Sequence, residues 1–352
     1  MLSSSHPHTY QEILSQPEVW PEALAVGQAS MPRIRALWEG NRPGGLLFIG
    51  CGSTYYLSLT AAALARRAGL MASAMPASEV WLLGEEVWPG QNRVWLIAVS
   101  RSGETSETLG AVETFRRAGG QVVIAVTCEP ESELARRADW ALVVPGAREQ
   151  SIAQTRSFTS MLLLCQLLLA GLAGDGGLAE RLRVLPALGR RLLDQYGGLA
   201  AALGGDGRVE RFFFLGNGPL YGLAQEAMLK MKEMSLSHSE AFHTLEFRHG
   251  PKSLVDERAL VVGLLSDQTQ PQEAAVLAEM RALGGHTLAL ANEGDAASCG
   301  DPEYLICLGS GLRTAERLVL YLPVLQLLAY HRALARGLDP DQPRHLSAAV
   351  VL

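Results

Sequence analysis

Val94-Trp95-Leu96-Ile97-Ala98-Val99 runs directly into Ser100-Arg101-Ser102-Gly103-Glu104-Thr105, an apolar strand followed by hydroxyls, a glycine and a helix start. Ser100, Ser102 and Thr105 each offer a short hydroxyl donor, and Gly103 lets the backbone come close to a ligand. The next stretch carries Leu109, Val112 and Phe115 at helical spacing. Its first-turn N–H groups and the positive end of its dipole therefore point back at the turn. Such a turn either grips a phosphate without a metal or is an ordinary helix cap with Ser102 or Thr105 at the Ncap.

Outward from this stretch, apolar runs of strand length alternate with helix-period segments, the pattern of βαβ units on parallel sheets. The expected strands are 46–50, 71–75, 94–99, 121–127 and 141–144 in the first half, and 211–215, 260–265, 286–291 and 304–308 in the second. An internal repeat ties the halves together. Phe48-Ile49-Gly50-Cys51-Gly52-Ser53-Thr54-Tyr55 resembles Phe214-Leu215-Gly216-Asn217-Gly218-Pro219-Leu220-Tyr221, and Arg116 to Gly120 matches Arg281 to Gly285 at nearly the same offset. The expected organisation is an N-terminal helical segment (1–44), a phosphate-binding domain (45–173), a helical connector (174–205), a second similar domain (206–337) and a C-terminal tail (338–352). Where the first copy has Ser102-Gly103-Glu104-Thr105, the second has Asp267-Gln268-Thr269-Gln270. A carboxylate there repels phosphate, so one phosphate site per chain is expected, in the first copy.

With 352 residues, 48% of them hydrophobic, the chain can bury two cores. A net charge of −6 argues against nucleic acid or an anionic membrane as the main partner. Five cysteines without CxxC or metal spacing point to reduced thiols and a cytoplasmic compartment. Met1 to His6 lack the pattern of a signal peptide. The apolar run 161–172 reads as a buried helix, too short to span a bilayer. The six tryptophans, Trp88 among them, read as packing.

The turn Gly50-Cys51-Gly52-Ser53-Thr54-Tyr55 lacks the last glycine of a dinucleotide fingerprint, and no GxxxxGK[ST] loop is present. It suits the wall of a small polar pocket, with the Ser53 and Thr54 hydroxyls at a strand end. The densest chemistry lies in Glu226-Ala227-Met228-Leu229-Lys230-Met231-Lys232-Glu233, where Glu226, Lys230 and Glu233 share one helical face. They form either a solvated ion-pair stripe or a catalytic group, with Glu233 as general base and Lys230 steadying developing negative charge. Downstream, His243, Glu246 and His249 have conceivable metal spacing, but Gly250-Pro251 breaks the helix that would align them. A loop histidine exchanging protons with a sugar ring oxygen fits better, and no metal is expected.

Jointly, residues 51–55, 100–105 and 226–233, His249-Gly250-Pro251 and the tail Asp341-Gln342-Pro343-Arg344 resemble the SIS (sugar isomerase) family. Within it, the likeness is to the two-domain isomerase half of glucosamine-6-phosphate synthases. The resemblance implies an α/β fold of two similar doubly wound, flavodoxin-like parallel-sheet sub-domains. It also implies that Ser100, Arg101, Ser102 and Thr105 hold a sugar phosphate, with Ser53, Thr54, Ala153 and Thr155 around the sugar. Glu233 would then move a proton between C1 and C2, Lys230 would lie beside the C2 substituent, and His249 would open the ring, often from the neighbouring subunit of a homodimer. The expected activity, without a cofactor, is aldose–ketose isomerisation of a hexose or amino-hexose 6-phosphate, with ammonia released from a glucosamine-6-phosphate-like substrate. A plain isomerase, a fructosamine-6-phosphate deglycase and a non-catalytic phosphosugar sensor are the alternatives. The sequence carries no glutaminase segment, and Ala348 stands where the synthases have a Schiff-base lysine.

Overall fold

The computed structural model describes residues 7–41, 43–86 and 94–350. The readings of Met1 to His6 and of Trp88 lie outside the described residues. Ten parallel strands are present among those described: β1 (Gly45–Gly50), β2 (Ala72–Pro76), β3 (Val94–Val99), β4 (Val122–Thr127), β5 (Trp140–Val143), β6 (Arg211–Leu215), β7 (His238–Phe242), β8 (Ala259–Leu264), β9 (His286–Ala291) and β10 (Tyr304–Cys307). They make two five-stranded sheets, ordered β2-β1-β3-β4-β5 and β10-β9-β8-β6-β7. Counted from β1 and from β6, the two orders are the same, so the internal repeat is a repeat of topology. This is the doubly wound 2-1-3-4-5 arrangement, in which the chain leaves neighbouring strands in opposite directions at one switch point.

The expectation of nine strands is corrected by β7, whose sequence His238-Ser239-Glu240-Ala241-Phe242 has no apolar run. It is an edge strand paired on one side with β6, and its residues are mostly only half-buried. Central strands have no such freedom. Every residue of β1, β4 and β8 is buried, because helices cover both faces.

The chain divides into two compact units. One gathers Met1–Leu14, Gln150–Thr155 and Ala187–Leu346 around the second sheet; the other gathers Ser15–Glu149, Arg156–Pro186 and Ser347–Leu352 around the first. In the first-sheet unit, Leu47, Ile49, Leu96, Ala98, Val112, Phe115 and Val123 meet in one core. In the other, Phe213, Leu215, Phe247, Val261, Leu277 and Ala289 do the same. Truncating a buried ring such as Phe213 costs about 3–5 kcal/mol.

The helix read at 161–172 starts earlier, at Arg156, and runs to Ala173. That corrects the expectation that it is too short to span a bilayer. Arg156–Ala173 and Leu318–Ala335 are both long and apolar enough, but 78% and 83% of their residues are buried inside the protein. The polar first turn is consumed internally, with Thr159 donating to Gln16 and accepting from the Trp20 indole. Of the remaining tryptophans, Trp95 is buried and meets Trp38 edge-on, and the Trp81 ring lies over Gly110.

Candidate functional site

Strands β1 and β3 are the switch-point pair of the first sheet and end side by side, Ile49 opposite Ala98. The two turns that leave them therefore open at the carboxyl edge, where doubly wound sheets bind ligands. Beyond β3, Ser100 Oγ accepts from the Gly103 N–H at 3.0 Å and lies 3.4 Å from Thr105 Oγ1. Ser102 Oγ accepts from the Glu104 N–H at 3.2 Å. Gly103 has φ 66°, and a Cβ there would run into Ser132, so the turn requires glycine on two counts. Thr105 is the Ncap of helix Ser106–Arg117, yet its side chain makes no capping bond. The hydroxyl faces Ser100 instead, while the Ser106 N–H donates to the Val350 carbonyl at 3.2 Å.

Arg101 has a different place from the three hydroxyls. Its guanidinium pairs with the buried Glu149 at 3.1 Å and donates to the Ala348 carbonyl at 3.1 Å. Glu149 also accepts from the Ser157 N–H and hydroxyl. The motif arginine is thereby charge-compensated and attached to the tail segment of its own unit. Sequence reading missed Glu149, which lies in a polar loop with no periodic signal.

In the turn after β1, the Thr54 hydroxyl is committed to Cys51, accepting from its N–H and donating to its carbonyl, both at 2.9 Å. Ser53 opens helix Ser53–Arg67 and is buried. Burial pushes the Cys51 thiol up to about 11, which favours the protonated form near neutrality.

The second-sheet unit holds the other expected residues. On helix Pro219–Ser235, Lys230 is fully buried, with Glu226 Oε1 3.3 Å from Nζ on one side and Glu233 hydrogen-bonded on the other. A solvated stripe is thus ruled out for Glu226 and Lys230, whose side chains have no exposure, whereas Glu233 keeps 20%. Burial alone pushes the Lys230 ammonium down, but the two carboxylates more than offset it and hold its pKa above the ordinary lysine value. Glu233 lines a cavity of about 250 Å³ with Met234, Leu338, Asp339, Gln342 and Arg344, so part of the tail motif and the expected base share one hollow.

His249 is exposed and hydrogen-bonds neither Lys230 nor Glu233 among the described residues. Its turn is fixed from outside: Glu279 accepts from Arg248 at 2.8 Å and from Lys252 at 2.7 Å. Ala153 and Thr155 are buried in the segment Gln150–Thr155, where Gln326 Nε2 donates to the Thr155 carbonyl at 3.5 Å.

The second copy of the turn is already filled. Glu273, fully buried, accepts from the Ser266 N–H and hydroxyl, the Thr269 hydroxyl and the Asn217 amide. Asp267, in Ser102's place, pairs with the buried Arg317. Burial raises the Asp267 pKa, but hydrogen bonds from Arg317 and Thr314 win and hold the carboxyl below the usual range.

The SIS domain family model matches residues 43–171 and 208–335, one match on each sheet. The chain belongs to the SIS domain family. Among SIS relatives, a glutamine–fructose-6-phosphate aminotransferase (isomerizing) of Aeropyrum pernix is 32% identical across 99% of this chain and 58% of its own length. The chain spans about half the length of the curated relatives it matches. Two solved SIS-like structures are similar throughout. A tagatose-6-phosphate ketose/aldose isomerase from Escherichia coli has TM-score 0.86 and 25% identity, covering 97% of this chain and 96% of that one. A glucosamine-6-phosphate deaminase from Thermotoga maritima has TM-score 0.72 and 29% identity, covering 94% and 100%.

Proposed function

We propose that this SIS protein interconverts aldose and ketose forms of a hexose or amino-hexose 6-phosphate and releases ammonia when the substrate carries an amino group at C2. One observation carries the reading: a fully buried ammonium, Lys230, clamped between two carboxylates of which only Glu233 reaches an open hollow. A module that merely binds sugar phosphate gains nothing from burying such a charge, which is costly unless paired.

In the proposed sequence, ring opening, assigned to His249, exposes the C1 carbonyl. Glu233 takes the proton from C2 and returns it to C1, while Lys230 steadies the negative charge that develops between the two transfers. With an amino group on C2 the product is a ketimine, which water hydrolyses to the ketose phosphate and ammonia. The hydroxyls of Ser100, Ser102 and Thr105 are assigned to the phosphate, and binding energy gained there supports positioning. Ala348 contributes a carbonyl to Arg101 and has no amine, which favours proton relay over an imine between substrate and enzyme at that position. Similarity to the named deaminase and isomerase supports the class of substrate.

The test is turnover of the purified protein with several amino-sugar 6-phosphates and their ketoses, followed by NMR and a coupled ammonia assay. Isomerisation with ammonia release, lost by about 10²-fold or more in Glu233→Gln, is the expected result. Isomerisation without ammonia selects the plain isomerase. Full activity in Glu233→Gln overturns the mechanism, and melting shifts without turnover make the protein a sensor.

A further inference from the structure

Glu12 is a carboxylate with almost no exposure, and it accepts hydrogen bonds from residues 138 and 139 positions away in sequence. It sits on the short helix His8–Leu14 and accepts from the Gln150 N–H at 2.6 Å, from the Ser151 N–H at 3.3 Å and from the Ser151 hydroxyl. The segment it holds, Gln150–Thr155, has no helix or strand of its own, so its buried backbone donors must find partners elsewhere. A carboxylate supplies them through charge-assisted bonds. Ser151 Oγ also lies within 3.2 Å of the Ala153 carbonyl, and Gln326 holds the far end at Thr155.

The other end of the same helix is tied as well. Asp341, first residue of the tail motif, accepts from the His8 and Thr9 N–H groups at 2.8 and 2.7 Å and from the Thr9 hydroxyl at 2.6 Å. The Tyr10 ring packs 5.1 Å from Tyr330. About two turns of helix thus link the tail motif to the segment bearing Ala153 and Thr155.

We propose that Glu12 is a positioning residue: it fixes the Gln150–Thr155 backbone in the form that meets the sugar, and Asp341 fixes the helix from which it does so. The proposal rests on the reading that Ala153 and Thr155 border the substrate. Glu12 touches no reacting atom in it, so its loss affects binding before chemistry.

The test compares wild type with Glu12→Ala, Glu12→Asp and Ser151→Ala by two measurements: sugar-phosphate kinetics, and amide exchange of the peptide spanning residues 148–157 without substrate. Glu12→Ala is expected to raise KM about tenfold with kcat within about twofold, equivalent to about 1.4 kcal/mol. Exchange at Gln150 and Ser151 should accelerate while the two sheets keep their protection. Glu12→Asp should recover part of both effects, and Ser151→Ala should show a smaller version of each. Wild-type KM in a folded Glu12→Ala, or an equal fall of kcat, KM-independent activity and melting temperature, overturns the proposal. Should Glu12→Ala not fold, unchanged exchange and KM in Ser151→Ala overturn it equally. Faster exchange in a protein that turns over no sugar phosphate leaves the tether standing and overturns the sugar-segment reading, and with it the positioning role.

Discussion

The two sheets share one topology, yet their switch-point turns have opposite electrostatic fates. After β3, Ser100, Ser102 and Thr105 present hydroxyls, and Thr105 leaves the helix end without a side-chain cap. After β8, the donors of the turn, Ser266 and Thr269, are gathered by Glu273, and Asp267 is locked to Arg317. Counting back from the paired Gly-Gly ends of the two helices, Glu273 stands where the first copy has Thr108. Thr108 is also buried, and its hydroxyl lies 3.7 Å from the Cys51 sulfur. Cys51 and Asn217 are likewise counterparts in the Gly-x-Gly turns. One substitution pair, Thr to Glu with Cys to Asn, gives the second turn a carboxylate of its own where the first has only neutral side chains.

The largest effect expected from this contrast is on stability. Glu273→Ala removes a buried carboxylate that four donors share and should cost about 3 kcal/mol in urea unfolding. Thr108→Ala should cost about 1 kcal/mol. Equal losses would break the comparison. Formate or inorganic phosphate should restore part of the Glu273→Ala loss and none of the Thr108→Ala loss.

Next comes affinity. Ser102→Ala should weaken inorganic phosphate binding about tenfold, the value of one charge-assisted hydrogen bond, with little change in the urea midpoint. Titration calorimetry on wild type should give one phosphate per chain; two would show that the second turn is not closed.

The smallest effect is in pH. The folded Asp267 carboxyl lies below its ordinary value, so its contribution is complete above about pH 4 and is lost as pH falls through the folded value. Asp267→Asn should therefore be less stable than wild type at neutral pH, by under about 1 kcal/mol because the carboxylate is 42% exposed. That gap should close in circular-dichroism melts as pH falls below the ordinary aspartate range, and a gap that widened in acid would remove Asp267 from the account.

Legibility of the sequence followed the range over which each feature acts. Buried parallel strands announce themselves as unbroken apolar runs, so nine of the ten described strands were readable. β7 was not, because an edge position tolerates His238 and Glu240. The Glu226–Lys230–Glu233 cluster was readable since its partners lie three and four residues apart on one helix. What distinguishes it from a surface stripe, complete burial of Lys230, is a tertiary property. Glu12, Glu149 and Glu273 were silent for the same reason: Glu12 and Glu149 find partners 138 and 48 residues away, and an acid in the first turn of helix Gln270–Ala282 reads as an ordinary dipole partner.

Neither compact unit is a single run of chain, and the one around the first sheet includes the stretch that begins at Ser347. On a ribosome, its last piece is therefore still unsynthesised after every strand of both sheets has emerged. Vectorial synthesis can build the first sheet early, but the carbonyls that meet Arg101 and Ser106 follow the second sheet in the chain. The turn after β3 thus acquires its full set of hydrogen bonds only once the strands of the second sheet have been made.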